Sequence, residues 1–440
     1  MKINNLMSPE TKKLVQTLPK SQKIMAKYVA LEESEGSLAH LRFTQDLIVN
    51  WIPKVFFARG LADFADMSFL ELTENVLIYF GGKGLGEGIF RKLFSKKLAK
   101  NLKEKVPVRA EELAKDKSIS DSDKKKIMPV KLALALSAMA IPLCEYSLNF
   151  IKNVLTLKVF KESDFNNIAN LNKVKSEDKT KQNEVKDSAK KHLKIAGGAY
   201  AGCLALAGLA VAGRNTKAVQ KASEYILTPG TKLFKNEERA KTFNKYFSLD
   251  VDSSVVKDKN GKSVLDEFGN EKRKLTLSRG QLVSCVGIGF AGYLQAAKDR
   301  GKQNVLEVLF RYPIVTFYVI TGADLFIKGF KGILRKKGGY EEMTGKSGDK
   351  NFETPKLKDL PELAKKLAAQ KGDSSDKAVA EEFKRLFKQK SLLVGVPTIF
   401  SLAVMGFFVA GCSKFFTQYR YNKEAQKVKQ EEKSTNRVVA

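Results

Sequence analysis

Histidine is almost missing from this chain: His40 and His192 are the only two in 440 residues. A hydrolytic triad or a zinc site needs imidazole beside a nucleophile or further ligands, and neither histidine has such neighbours in sequence. Cysteine is equally sparse. Cys144, Cys203, Cys285 and Cys412 form no C-x-x-C pair, and each falls inside a different apolar run. They are expected to act as small buried hydrophobes, with neither a disulfide framework nor a metal implied. Paired carboxylates occur only in solvated loops, so acid/base catalysis has no foothold, and the expectation is a non-enzymatic protein without cofactor. The N-terminal MKINNLMSPETKKLVQTLPKSQK lacks the apolar core of a signal peptide, so any membrane insertion must be directed by internal segments.

Acidic residues are in deficit too, 48 Asp and Glu against 78 Lys and Arg, leaving a net charge of +30. Lysine supplies 64 of those cations and arginine 14. Such an excess suits anionic lipid headgroups or an acidic protein partner. Nucleic acid is not expected, because no recognisable reading module accompanies the charge. Two glycine-rich stretches fail as phosphate loops. Gly81–Gly88, GGKGLGEG, matches neither nucleotide-binding pattern and is expected to be a flexible turn. In GGYEEMTGKS, Gly339 and Gly345 are one residue too far apart for a P-loop.

Against these absences stands one long apolar run. Ser391–Ser413, SLLVGVPTIFSLAVMGFFVAGCS, carries no charge and lies between Lys390 and Lys414. A bilayer core of roughly 30 Å needs about 20 such residues in a helix. Four further runs resemble it. These are 132–151, with Pro142 and Glu145 inside; 195–213, in which 12 of 19 residues are Gly or Ala; 280–297; and 308–327, with Arg311 and Asp324 near its ends. The stretch 43–64 is an ambiguous sixth, since Asp46, Lys54, Arg59 and Asp63 interrupt it, although Arg59 and Asp63 can pair at i,i+4. The fold class expected is therefore all-α: a polytopic helical membrane protein of about five or six spans, with basic amphipathic interfacial helices and a small β-hairpin insertion.

In order, the organisation runs as follows. Residues 1–42 form a polar helical segment, with Ser8 capping and Pro9 in the first turn. Residues 43–131 are mixed apolar and amphipathic, and include a basic helix at 89–106. Residues 132–213 hold two spans around a polar loop at 158–194. Residues 214–279 form a soluble loop domain whose segment 255–277 carries Asn260-Gly261, a hairpin signal. Residues 280–327 hold two more spans, the first opened by a Ser278/Gln281 capping box. A basic loop at 328–390 with short amphipathic helices, the span 391–413 and a polar tail at 414–440 complete the chain.

Candidate functional residues fall into three groups. In the 89–106 helix, Phe90, Leu93, Phe94, Leu98 and Leu102 share a face, with Arg91, Lys92, Lys96, Lys97 and Lys100 around it. These cations, with Arg335, Lys336 and Lys337, are the expected contacts to anionic lipid or an acidic partner. Glu145, Asn149, Arg311 and Asp324 are polar groups within spans, and ionisable residues there are functional candidates. Glu145, Asn149 and Lys152 recur on one helix face. Gly198 and Gly202 form a G-x-x-x-G pair expected to pack against other helices.

With five spans, one face carries 56 Lys and Arg against 20 on the other, which places the richer face in the cytoplasm and the C-terminus opposite. The function expected is a membrane scaffold or anchor whose lysine-rich cytoplasmic face engages anionic lipid or an acidic partner. The alternative is a small-solute or ion transporter using intramembrane carboxylates. Weak parallels between Trp51-Ile52-Pro53…Asp63 and Tyr312-Pro313…Asp324 raise an internal duplication as a further expectation.

Overall fold

The computed structural model describes residues 7–33, 43, 47–94, 105–172, 178–255, 263–265, 271, 273–346, 349 and 352–439. The chain is nearly all helical and divides into two compact units, each assembled from distant segments. One comprises 1–42, 255–272 and 321–403; the other comprises 43–254, 273–320 and 404–440.

The smaller unit is built on apolar stripes. Ser8 caps Pro9–Gln16 by accepting from the Thr11 amide at 3.2 Å, satisfying one otherwise unpaired donor of the first turn. Ala26, Val29 and Ala30 of Lys20–Glu32 gather with Leu360, Ala364 and Ala368 of Leu360–Gln370. Phe383, Leu386 and Phe387 of Asp376–Phe400 complete this core. Glu33 ties the segments together: it accepts from the Leu357 amide at 2.7 Å and pairs with Lys390 at 2.5 Å.

The larger unit centres on a 40-residue helical run, Asp121–Phe160, interrupted at Met139 between Asp121–Ala138 and Ala140–Phe160. Pro142 has no amide hydrogen for the carbonyl of Ala138, which accounts for the interruption. Val130, Ala133 and Leu134 share a core with Phe90, Ala207, Val211, Val251 and Leu275. Lys131 on the same helix is fully buried, pairing with Asp250 at 2.8 Å and donating to the carbonyls of Val106 and Val108. The Ser278/Gln281 capping box opens Arg279–Arg300 as its sequence implies.

Among the described residues, four helices are long and apolar enough to cross a membrane: Asp121–Phe160, Lys179–Ala212, Lys302–Lys337 and Asp376–Glu431. They contain four of the five runs read as spans. The fifth, 280–297, lies in Arg279–Arg300, which stands outside those four because glycine, serine and glutamine dilute its apolar residues. The stretch 43–64 is not one helix. Leu47–Phe56 is a short apolar helix, and a break at 57–60 precedes Leu61–Val76.

One local expectation is corrected. Gly81–Gly88 is not a turn: Leu77–Gly88 continues the helix in a wider π register and runs on into Ile89–Leu93. Its glycines serve as contact surface, since a Cβ at Gly86 would meet Ala138 at 3.3 Å and one at Gly81 would meet Ile141 at 3.4 Å. The basic helix at 89–106 is helical over Ile89–Leu93, and 95–104 lie outside the described residues. In the region expected to form a hairpin, Asp252–Val255 pairs with Arg273–Thr276, and Leu265 bridges Glu271. Asn260-Gly261 itself lies outside the described residues.

Close helix contact falls on different glycines from those singled out in the sequence. On Arg279–Arg300, a Cβ at Gly292 would sit 2.8 Å from the carbonyl oxygen and 2.9 Å from the Cα of Tyr146. Gly198 and Gly202 of Lys179–Ala212 meet nothing within 4 Å. Gly292→Val should therefore cost about 1–3 kcal/mol of stability through overpacking, while Gly202→Val should change it by less than about 0.5 kcal/mol. Denaturation of the two purified variants in detergent checks this; equal losses would remove the distinction.

Candidate functional site

Charged side chains concentrate at the ends of the apolar helices of the larger unit. The break at 57–60 lets the chain turn, with the Asn170 amide donating to the Arg59 carbonyl at 2.8 Å. Leu61–Val76 then presents Asp63, Asp66, Glu71 and Glu74 toward its neighbours. Burying a carboxylate alone costs several kcal/mol, so each should have found a partner.

They have. Asp63 pairs with Arg59 at 3.1 Å and with Lys414 at 3.0 Å. Glu307 draws the same two cations, Arg59 at 3.2 Å and Lys414 at 3.4 Å, and accepts from the Thr417 hydroxyl at 2.9 Å. Asp66 takes both Nη atoms of Arg300, at 2.7 and 2.8 Å, with Lys152 at 3.1 Å and the Thr156 hydroxyl at 2.6 Å. Glu71 pairs with Lys54, and Tyr293 donates to Glu74 at 3.1 Å. Arg300 is only 2% exposed, so its forked bond to Asp66 is a desolvated, bidentate pair.

These residues enclose a cavity of about 50 Å³. Asp63, Asp66, Glu71 and Glu307 line it, together with Lys152, Arg311, Lys414, Asn304 and Tyr293. A water molecule needs roughly 10–15 Å³ of such space, so the cavity has room for a few water-sized species. Among the described residues no group of three His, Cys, Asp or Glu side chains is placed to hold a metal ion.

Of the intramembrane residues singled out in the sequence, Arg311 lines this cavity, and Glu145 and Asn149 lie on the helix that supplies Lys152. The Glu145 carboxylate packs over Gly289, where a Cβ would approach its Oε1 to 2.5 Å. Asn149 is fully buried, and its amide donates to the Glu145 backbone carbonyl at 3.1 Å. Asp324 belongs to the smaller unit and is not among the residues that line this cavity. Of the basic residues, Arg91 pairs with Glu87, Lys92 is exposed, and Lys96, Lys97 and Lys100 lie outside the described residues. Arg335 donates to the Thr344 carbonyl, whereas Lys336 and Lys337 are exposed. Phe90 is buried in the unit's own core and Leu93 is half exposed.

Asp66, Arg300, Glu307 and Lys414 were not singled out from sequence. Their one signal was position, each flanking or interrupting an apolar run, where a charge reads as a boundary.

Comparisons with protein-family models, with curated proteins and with solved structures find no match.

Asp66→Asn should cost about 3–5 kcal/mol, because Arg300 would stay buried without its counter-charge. Denaturation of the wild type and Asp66→Asn in detergent checks this; equal stability would mean that the Asp66 carboxylate does not hold Arg300 in the folded state.

Proposed function

We propose that this chain is a non-enzymatic integral membrane protein whose lysine-bearing face engages anionic lipid headgroups. The observation that carries this reading is the pairing of exposed apolar surface with exposed cations on one helix. Along Lys302–Lys337, Phe317, Leu325 and Ile333 are 61%, 56% and 65% exposed, and the same helix ends in Lys336 and Lys337. Apolar surface of that extent on a long helix calls for a nonaqueous neighbour. A lysine at its end then lies where headgroup phosphates are.

Chain continuity supports a definite topology. The N-terminal helices share a core with Leu334–Leu393, so the chain returns to its starting face after Lys302–Lys337. An even number of passages must precede that return. Leu47–Phe56 runs beside the last span, with Pro53 against Gly406 and Phe57 against Gly411. The helix from Leu61 runs back from Asp66, at the level of Lys152, to Phe90, in one core with Val130. Leu47–Phe56, ten residues long, is too short to cross, so this hairpin enters and returns to the same face. The spans at 121–160 and 179–212, the Arg279–Arg300 helix and Lys302–Lys337 then make four passages, and the Asp376–Glu431 helix makes a fifth. The N-terminus and the loops at 214–278 and 338–375 then share the basic, cytoplasmic face, and the C-terminus lies opposite.

The transporter alternative gains less from the geometry, because the carboxylates lining the cavity are paired with cations.

Single cysteines at positions 175, 260, 350 and 430 in a cysteine-free background test the topology. Labelling from outside intact cells is expected at 175 and 430, with protection at 260 and 350; labelling at 350 would break the parity argument. Lipid engagement is tested by spin-labelled phosphatidylserine against phosphatidylcholine in proteoliposomes. Replacing Lys336 and Lys337 by Gln should lower selectivity for the anionic lipid by about 30-fold, at about 1 kcal/mol per lysine. Unchanged selectivity would refute the headgroup contact.

A further inference from the structure

Three cations converge in the smaller unit, near the Lys337 end of Lys302–Lys337. Lys331 and Arg335 lie one turn apart on that helix, at i,i+4, and Lys390 reaches them from Asp376–Phe400. Phe326 stacks on Phe400 with ring centroids 4.0 Å apart, which holds the two helices side by side. Lys390 is satisfied, since it pairs with Glu33 and donates to the Pro355 carbonyl at 2.7 Å. Lys331 is not. It is half-buried, and the charges that act on it are those of Lys390 and Arg335, both of its own sign. Arg335 donates to the Thr344 carbonyl, and its Nε is buried without an acceptor. Among the described residues neither Lys331 nor Arg335 has a carboxylate within 4 Å. Three cations meet one carboxylate, Glu33, and two positive charges remain.

Helical geometry indicates the kind of anion that fits. At about 100° per residue, Phe326, Phe330 and Leu334 form the face turned to the unit's own residues. Lys328, Lys331 and Arg335 form the neighbouring strip, and Leu325, Gly329, Gly332 and Ile333 the strip beyond it. Leu325 and Ile333 are exposed, and a Cβ on Gly329 or Gly332 would meet nothing within 4 Å. Cations therefore border an open apolar strip, which suits an amphiphile with an anionic head. A phosphomonoester carries about 1.5 to 2 negative charges at neutral pH and so matches the two unpaired cations. Ammonium and guanidinium groups both donate to phosphate oxygens. We infer that Lys331, Arg335 and Lys390 form a binding site for a lipid phosphomonoester headgroup, of the phosphatidic acid class, with its acyl chain along the Leu325–Ile333 strip. This rests on the headgroup reading above and narrows it to one chemistry at one site.

The test uses the full chain, in detergent and in phosphatidylcholine vesicles. Phosphatidic acid added in detergent should raise the melting temperature saturably, as a ligand bound only by the folded state does. In vesicles, spin-labelled phosphatidic acid should be preferred over spin-labelled phosphatidylserine by about fivefold, the effect of one further charge near the surface. Lys331→Gln should lose both effects yet melt no lower than the wild type in lipid-free detergent, because it relieves a like-charge contact. Lys331→Arg should retain both. If the wild type binds the two anionic lipids equally, and both better than phosphatidylcholine, the inference fails and the broader headgroup reading stands. If neither is preferred over phosphatidylcholine, that reading fails as well. A preference for phosphatidic acid retained in Lys331→Gln would place the site elsewhere and overturn the inference. Glycerol phosphate raising the melting temperature as far as phosphatidic acid does would make the site one for free phosphomonoesters and overturn the lipid assignment.

Discussion

The forked bond between Asp66 and Arg300 is the constraint on which the larger unit depends. Asp66 comes from Leu61–Val76 and Arg300 from Arg279–Arg300, while Lys152 and Thr156 join from Ala140–Phe160. Three segments far apart in sequence are thus fixed in register at one depth. An ion pair so placed adds little net stability over a well-packed apolar substitute, but breaking it leaves a bare charge. Its effect is therefore on specificity: any other register of these helices strands Asp66 or Arg300. Arg59, Asp63, Glu307 and Lys414 do the same for the last helix, so most of the layer closes together or not at all.

Helix contact at the other extreme is steric. Where Ala140–Phe160 crosses Arg279–Arg300, the backbone of Tyr146 fills the space that a side chain at Gly292 would need. This close approach is what allows Asn153 to donate to the carbonyl of Ala296 across the same interface, at 2.9 Å. Small residues and polar groups cooperate here: the glycines set the distance, and the polar groups set the rotation.

Much of the helical framework was legible in the sequence, and for identifiable reasons. Ser8 with Pro9 and Ser278 with Gln281 act through neighbours three residues away, so spacing alone reveals them. The Arg59–Asp63 pair is likewise local. Gly198 and Gly202 show where this logic stops. Their spacing describes a face without naming a partner, and in this chain the face stays open, while Gly289 and Gly292 pack with no comparable motif. The GGKGLGEG stretch misled for a related reason. Glycine lowers helix propensity in isolation, yet Gly81 and Gly86 lie against Ile141 and Ala138, and helicity in a protein comes mainly from such tertiary packing.

The hairpin of Leu47–Phe56 with Leu61–Leu93 was the hardest part to read, because hydropathy counts every charge as a cost borne alone. Lys54, Arg59, Asp63, Asp66, Glu71 and Glu74 make the stretch look too polar to sit among apolar helices. Each has a counter-charge or a hydroxyl within hydrogen-bonding reach, and four of those contacts are non-local: Arg59 with Glu307, Asp63 with Lys414, Asp66 with Arg300, and Glu74 with Tyr293. What decides burial is the charge left after pairing, and pairing depends on residues more than 200 positions away. A window that slides along the chain cannot see that sum.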